Sequence, residues 1–265
     1  MVKLVATDLD GTLLGDDKVI PKEIFSLTAR LRERGIRFVA ASGRSPYTLK
    51  ANFAPIAGEI DYICDNGAVA IADGKIVRNM PVPKPIVRRV AEWAESEDVH
   101  ILLCGTKTTY MLPVEGTKFE RHVCPYYFNC VSEKDLTDIG DDVNKIAICD
   151  LRGPKTGSAE RLQKMLGDDA DVVVSGDVWM DVMAKGVSKG EALAAIQEYR
   201  GVTKAETVAF GDYYNDVSML ACAEYAYVMK NANEDMFRFG NRIADGNNEG
   251  GVLKVLRTLA DGTFR

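Results

Sequence analysis

The residues best suited to chemistry in this sequence are carboxylates that directly follow short apolar runs. The first run, residues 2–7, leads into the string DLDGTLL at 8–14. Residues two apart on a strand point to the same side, so Asp8 and Asp10 are expected to meet at the carboxyl edge of a sheet, where open α/β sheets bind ligands. Gly11 lets the chain turn abruptly there. Two adjacent carboxylates repel each other unless a cation or a shared proton offsets them, and Mg²⁺, which prefers oxygen ligands, is the expected cation.

Two further motifs could hold an anion. Ser42, Gly43 and Arg44 follow the apolar run 36–41. A hydroxyl with a neighbouring glycine amide can hold a phosphate oxygen, and an arginine adds charge or braces the loop. Lys189 lies at the predicted start of a helix, where a lysine offsets both phosphate charge and a carboxylate cluster. By itself the serine–glycine motif is more typical of an ordinary turn, and Lys189 alone is more typical of a solvated lysine in a first helical turn.

The string GDYYND at 211–216 follows another apolar run, residues 207–210. It supplies Asp212, Asn215 and Asp216 at a second position along the predicted sheet edge. Asn or Asp commonly caps the start of a helix, and a cap would explain one of these residues. It would not explain all three together, so the string indicates a second part of the same site.

The elements that position these motifs alternate between strand and helix patterns. Apolar runs and helical periodicity alternate before residue 83 and return after 186, which favours a parallel sheet. A hairpin is predicted at 69–77, turned at Asp73 and Gly74, and two C-terminal helices close the chain. Pro83 and Pro85 indicate a linker, after which two helices lie among several short strands. The predicted fold is α/β: a doubly wound, Rossmann-like parallel-sheet core formed by 1–83 and 186–265, with an inserted α+β cap at 84–185.

Composition excludes several classes of partner. The 265 residues carry a formal net charge of -6, and no run of lysine or arginine stands out, so neither nucleic acid nor an anionic membrane is an expected partner. No apolar stretch is long enough to span a bilayer, and no signal-peptide core follows Met1. The six cysteines are scattered and are expected to be reduced thiols. These features predict a cytoplasmic protein.

Taken together, the four motifs resemble the haloacid dehalogenase-like superfamily, and within it the Cof-type sugar-phosphatase branch. The resemblance runs in order through the whole chain and is most specific at 8–14 and 211–216. The strings DNGA at 65–68 and MKNA at 229–232 also resemble family loops at the rim of the core. This resemblance implies a Mg²⁺-dependent phosphatase that acts on a small phosphorylated metabolite, with a cap that closes over the site and selects the substrate.

The resemblance also implies a role for each residue. Asp8 is the nucleophile that takes the phosphoryl group, and Asp10 is the general acid and then the base that activates water. The implied metal ligands are Asp8, Asp10 through its backbone carbonyl, Asp212 and Asp216. The residues implied to bind phosphate are Ser42, Gly43, Lys189 and Asn215. The candidates for contacting the substrate are Arg44, Asn66 and, in the cap, Asp181.

Two other functions use the same nucleophile. A phosphotransferase or mutase would return the phosphoryl group to a sugar instead of water, and a receiver-like signalling module would keep it on the aspartate for a partner to recognise. A receiver has about half this length and no large insert, and Asp10 beside Asp8 favours turnover. Sugar phosphates, cofactor phosphates such as pyridoxal phosphate, and nucleotide-like esters all remain open as substrates, and the sequence does not indicate an oligomeric state.

Overall fold

The computed structural model describes residues 1–124 and 129–265, and the chain divides into two compact units. Met1–Asn79 and Ser188–Arg265 form the first, here called the core unit, and Met80–Val187 form the second, the cap unit. The boundaries expected from the sequence, 83/84 and 185/186, both lie within the cap unit, a few residues from its ends. Within the described residues, no helix has the length and apolar character needed to cross a membrane.

Strands and helices alternate along most of the described chain. The strands are β1 (Leu4–Asp8), β2 (Arg37–Ala41), β3 (Asp61–Cys64), β4 (Val69–Ala72), β5 (Lys75–Asn79), β6 (His100–Gly105), β7 (Thr109–Met111), β8 (Cys130–Ser132), β9 (Val143–Cys149), β10 (Ala170–Val174), β11 (Trp179–Ala184), β12 (Thr207–Gly211), β13 (Tyr225–Met229) and β14 (Arg242–Ala244). The α-helices are α1 (Glu23–Glu33), α2 (Pro46–Asn52), α3 (Lys84–Ser96), α4 (Glu120–Val123), α5 (Ser158–Leu166), α6 (Lys189–Arg200), α7 (Val217–Ala221) and α8 (Gly251–Asp261).

The core unit is built on one eight-stranded sheet with the order β14-β13-β12-β1-β2-β3-β4-β5. The pairs from β14 to β3 are parallel, and β4 and β5 add an antiparallel edge. Every residue of the central strand β1 is buried, and its side chains alternate between two apolar clusters. Helices α1, α2 and α8 contribute to one cluster, and α6 and α7 to the other. The predicted doubly wound α/β core is confirmed.

Two local predictions for the core have different outcomes. The hairpin is confirmed: Asp73 and Gly74, with φ values of 48° and 74°, form the two-residue turn between β4 and β5. The prediction of two C-terminal helices is wrong, because α8 is the one α-helix among the described residues after β13, and Glu234–Phe239 form a 3₁₀ segment. The reason is spatial: the chain must return within residues 230–241 to place β14, which was not predicted, beside β13.

The cap unit is built on a six-stranded sheet with the order β10-β11-β9-β6-β7-β8. Its strand pairs are antiparallel except for β7 and β8. Helices α3 and α5 pack on one face through Val90 and Leu162, and Phe119 and Val123 cover apolar residues of the other face. The predicted α+β insert is confirmed, although α4 and β8 were not predicted.

Candidate active site

Strand β1 delivers Asp8 to the carboxyl edge of the core sheet. Its neighbours on the two sides are β12 and β2, and Asp8 pairs in register with Ala41 at the end of β2. The strand ends at Asp8, and the chain turns at Gly11, whose φ is 84°. A Cβ atom at Gly11 would collide with the carboxylate of Asp212, so glycine is needed both for the turn and for this close approach.

Three carboxylates and one lysine form the centre of the site. Oxygens of Asp8, Asp212 and Asp216 all lie within 4.8 Å of one another. The Nζ of Lys189 donates to Oδ1 of Asp8 and to Oδ1 of Asp216, each at 2.6 Å. Lys189 is fully buried at the start of α6, where the helix is fixed by a cap: Ser188 Oγ accepts the backbone N–H of Glu191 at 3.2 Å.

The ionisation of these residues is strongly coupled. Burial raises the pKa of Asp8 to about 8; the charge of Lys189 opposes this shift, while the charges of Asp216 and Asp212 add to it. Burial also raises the pKa of Asp212, against the hydrogen bond from Thr12. Burial disfavours the charged form of Lys189, but the carboxylates of Asp216 and Asp8 outweigh this effect and raise its pKa. Lys189 therefore stays charged, whereas burial and the repulsion between the carboxylates work against the ionisation of Asp8 and Asp212.

Neighbouring groups orient the two carboxylates that come from the GDYYND string. The Oδ2 of Asp216 accepts the backbone N–H groups of Asp212 at 3.0 Å and of Tyr213 at 3.2 Å. The hydroxyl of Thr12 donates to Oδ1 of Asp212 at 2.6 Å. A Cβ atom at Gly211 would collide with the side chain of Asp216, so the glycine permits this close approach. Both carboxylates are thereby held in fixed orientations.

The central carboxylates have the donor set of a divalent-cation site. All three ligands are oxygens, which suits a hard cation such as Mg²⁺. Three carboxylates with the one charge of Lys189 leave a net charge of -2 when all are ionised, and a divalent cation neutralises it. Asp8, Asp212 and Asp216 are thus brought together as predicted metal ligands, and they could bind a metal ion.

Asp10 has a different environment from the other three aspartates. Its side chain is 43% exposed, and its oxygens face cations: Arg44 Nη2 lies 3.1 Å from each oxygen, and Lys18 Nζ lies 3.3 Å from Oδ1. Because β1 ends at Asp8, the alternation of a strand does not extend to Asp10, and its carboxylate stands outside the central cluster. Metal ligation through its backbone carbonyl stays a prediction.

The remaining core residues predicted for the site form a connected loop cluster. Ser42 is buried, and its Oγ accepts the backbone N–H of Arg44 at 3.2 Å. The backbone N–H of Asn66 donates to the Ser42 carbonyl at 3.0 Å, and Asn215 Nδ2 donates to Asn66 Oδ1 at 3.1 Å. A Cβ on Gly43 would lie 3.2 Å from the Asn66 side-chain amide, so this loop packs tightly. That these residues bind phosphate or contact the substrate stays a prediction.

Asp181, the predicted substrate contact in the cap, lies on β11 of the cap unit. It is buried, and its carboxylate lies 3.9 Å from the Nζ of Lys145 on the neighbouring strand β9. Burial raises the pKa of Asp181, against the charge of Lys145. Contact with a substrate stays a prediction.

Three residues at the site were not predicted from the sequence. Thr12 holds Asp212, Lys18 faces Asp10, and Asn231 Nδ2 donates to the carbonyl of Gly11 at 2.8 Å. Thr12 lies inside the DLDGTLL string and Asn231 inside the MKNA string, so these two motifs could have indicated both residues. Nothing in the local sequence distinguishes Lys18 from an ordinary exposed lysine.

Comparison with known proteins shows which family this chain is similar to. A family model described as haloacid dehalogenase-like hydrolase matches residues 5–256. The chain is 31% identical over 259 residues to the 5-amino-6-(5-phospho-D-ribitylamino)uracil phosphatase YbjI of Escherichia coli (strain K12), covering 96% of this chain and 95% of that protein. It is 28% identical over 236 residues to the HMP-PP phosphatase of Escherichia coli O8 (strain IAI1), covering 88% and 85%. A solved haloacid dehalogenase-like hydrolase from Bacteroides thetaiotaomicron aligns with a TM-score of 0.87 at 26% identity, covering 98% of this chain and 100% of that one.

The family model spans nearly all of the chain, including the four motifs around the site. The predicted superfamily and its Cof-type branch are confirmed, and so is the prediction of an enzyme of the hydrolase class, since the relatives are named as phosphatases. The chain belongs to the haloacid dehalogenase-like hydrolase family.

Proposed function

We propose that this protein is a Mg²⁺-dependent phosphatase that hydrolyses small phosphate monoesters through an aspartyl phosphate on Asp8. The observation that carries the proposal is the position of Lys189, whose buried Nζ contacts both Asp8 and Asp216 at 2.6 Å. A nucleophilic carboxylate that must approach a phosphate dianion needs fixed positive charge beside it, and phosphoryl transfer depends mainly on positioning and electrostatics.

In the first step Asp8 attacks phosphorus. A bond forms between a carboxylate oxygen of Asp8 and phosphorus, while the bond from phosphorus to the ester oxygen breaks. Asp10, in its protonated form, donates its proton to the departing oxygen. Lys189 contacts Asp8 and is placed to hold a phosphoryl oxygen, with Ser42 and the amide of Gly43 as further partners.

In the second step a water molecule attacks the aspartyl phosphate. The ionised Asp10 takes a proton from this water as the new oxygen–phosphorus bond forms and the bond to Asp8 breaks. Phosphate leaves, and both aspartates return to their starting states. One carboxylate nucleophile and one acid–base carboxylate thus divide a difficult displacement into two easier ones.

A divalent cation fits the three carboxylates that surround Lys189. Asp8, Asp212 and Asp216 would hold it, and its positive charge would keep Asp8 ionised at neutral pH, where burial otherwise raises the pKa of Asp8 to about 8. Thr12 orients Asp212 for this purpose, and the backbone N–H groups of Asp212 and Tyr213 orient Asp216.

The proposed substrate class is the small phosphorylated metabolite. The names of two relatives, a 5-amino-6-(5-phospho-D-ribitylamino)uracil phosphatase and an HMP-PP phosphatase, support this class. We further propose that the cap unit selects among such esters and that Asp181 and Arg44 contact the leaving group. The cytoplasmic location expected from the sequence stays a prediction.

The proposal is tested by measuring phosphate release from a panel of phosphate esters with EDTA or with Mg²⁺. Wild type is compared with Asp8→Asn, which keeps the shape of the side chain and removes the nucleophile. We expect release that requires Mg²⁺ and falls by at least about a thousandfold in the variant. Release that is equal in the two proteins would refute Asp8 as nucleophile. A wild type that isomerises a sugar phosphate without releasing phosphate would instead indicate a mutase.

A further inference from the structure

Two cations contact the carboxylate of Asp10, and only one of them, Arg44, belongs to a motif of the active site. Arg44 belongs to the loop after β2; it contacts both oxygens of Asp10 at 3.1 Å and also donates to Asn52 Oδ1 at 2.8 Å. Lys18 belongs to no recognised motif, yet its Nζ lies 3.3 Å from Asp10 Oδ1. The acid–base residue of the proposed reaction is therefore held from two separate loops.

The backbone at Lys18 adopts a conformation that a lysine rarely adopts. Its φ is 58°, in the left-handed region that favours glycine. The turn is closed by a hydrogen bond from the Lys18 N–H to the Gly15 carbonyl at 3.0 Å. Unfavourable backbone conformations of this kind persist only where the surrounding structure imposes them, and they are concentrated at functional sites.

Hydrogen bonds from a distant segment hold the residues just before Lys18. Asn248 accepts the backbone N–H of Asp16 at 3.0 Å through Oδ1 and donates to Asp16 Oδ2 at 2.9 Å through Nδ2. Asn247 Nδ2 donates to the Leu14 carbonyl at 3.0 Å. A segment more than two hundred residues away thus fixes the loop that carries Lys18.

Fold stability does not account for this arrangement. The Lys18 side chain is 58% exposed and that of Asp10 is 43% exposed, and ion pairs at such exposure contribute little to stability. What the contact does is add a second restraint, beside that of Arg44, on a partly exposed carboxylate. Proton transfer requires the carboxyl group within hydrogen-bond distance of the reacting oxygen, so this restriction matters for the reaction.

We propose that Lys18 is a positioning residue for Asp10, and that with Arg44 it holds the Asp10 carboxyl group where it can give its proton to the leaving oxygen. The inference rests on the proposed function, because it needs Asp10 as the general acid. It predicts that Lys18 matters most for esters whose leaving oxygen must be protonated as the bond to phosphorus breaks.

The test compares two esters in the full-length protein with Mg²⁺. Glycerol phosphate has an alkoxide leaving group that needs a proton, whereas 4-nitrophenyl phosphate has a leaving group that is stable as an anion. The variants are Lys18→Met, Lys18→Arg and, as a matched control, Lys22→Met, an exposed lysine at the start of α1. We compare kcat/KM, which reports the step in which the leaving group departs.

We expect Lys18→Met to lower kcat/KM about tenfold for glycerol phosphate and less than about twofold for 4-nitrophenyl phosphate, because Arg44 remains to hold Asp10 in part. Lys18→Arg should restore most of the loss, and Lys22→Met should match wild type. Equal losses for the two esters would overturn the inference, since a lysine that binds the phosphate group acts on both alike. Unchanged kcat/KM for both would also overturn it. If wild type hydrolyses neither ester nor any other phosphate ester, the proposed function itself has failed.

Discussion

Replacing Lys189 with methionine tests the electrostatic account of the site most broadly. The variant removes a buried cation that contacts two carboxylates at 2.6 Å, and it leaves Asp8, Asp212 and Asp216 with no cation in the cluster. Removing one partner of a buried ion pair typically costs about 3–5 kcal/mol. We expect about 3 kcal/mol without metal, because Asp8, whose pKa burial raises to about 8, can become neutral by taking a proton.

The assay is thermal unfolding followed by circular dichroism, in EDTA and in millimolar Mg²⁺. For a domain of this size, about 3 kcal/mol corresponds to a fall in Tm of roughly 6–12 °C. The variant carries three carboxylates and no lysine in the cluster, so Mg²⁺ should raise its Tm more than it raises that of wild type. Phosphate release should be lost even where Mg²⁺ restores stability. Lys22→Met provides the control and should melt like wild type in both buffers.

A Lys189→Met variant that melts within about 2 °C of wild type in EDTA would exclude this electrostatic role of Lys189, since that shift corresponds to less than about 1 kcal/mol. This role would also be excluded if Mg²⁺ stabilised the two proteins equally. Either result would mean that Lys189 and the three carboxylates are not electrostatically coupled.

Two further predictions concern Thr12 and His100. Thr12→Val removes the hydroxyl that donates to Asp212 at 2.6 Å, and it should weaken Mg²⁺ activation of phosphate release about tenfold. Thr12→Ser should keep most of the activation. Equal Mg²⁺ dependence of the two variants would contradict the role of Thr12 in orienting Asp212. His100 is buried in the cap unit against Phe119, and burial lowers its pKa below the ordinary 6.5, so the unfolded chain takes up a proton that the folded chain does not. The contribution of neutral His100 to the free energy of unfolding should therefore be full above pH 6.5 and fall below it, by at most about 1.4 kcal/mol per pH unit. Urea unfolding of His100→Phe should show a smaller loss of stability at low pH than wild type. Parallel pH profiles of the two proteins would contradict this prediction.

The parts of the site that the sequence predicts are those that follow from strand geometry. Asp8, Ser42 and Asp212 each lie directly after or close to the end of a parallel strand, and parallel strands present their carboxyl ends at one edge. Lys189 was predicted from its place at the start of a helix. The positions of these residues depend on patterns within single segments of the sequence, and for that reason they could be predicted before the structure.

The contacts that the sequence does not predict depend on distant segments. Lys18 faces Asp10 from a loop that residues 247 and 248 contact, and no local pattern indicates those contacts. The separation of Asp10 from the three central carboxylates is also set by the local path of the chain, since β1 ends two residues earlier and the chain turns at Gly11. In the core, β14 was missed because it is short and its pairing with β13 is set by the tertiary fold.

The proposed transfer of the phosphoryl group to Asp8 can be measured by rapid quenching with a ³²P-labelled phosphate ester. Asp10→Asn is the best protein for this measurement, because loss of the base should slow hydrolysis of the intermediate, and a 4-nitrophenyl ester still lets it form. We expect label that is bound to protein, is released by hydroxylamine, and maps to the peptide that contains Asp8. Asp8→Asn should take up none. Rapid phosphate release with no labelled protein, or label on a different residue, would contradict the account.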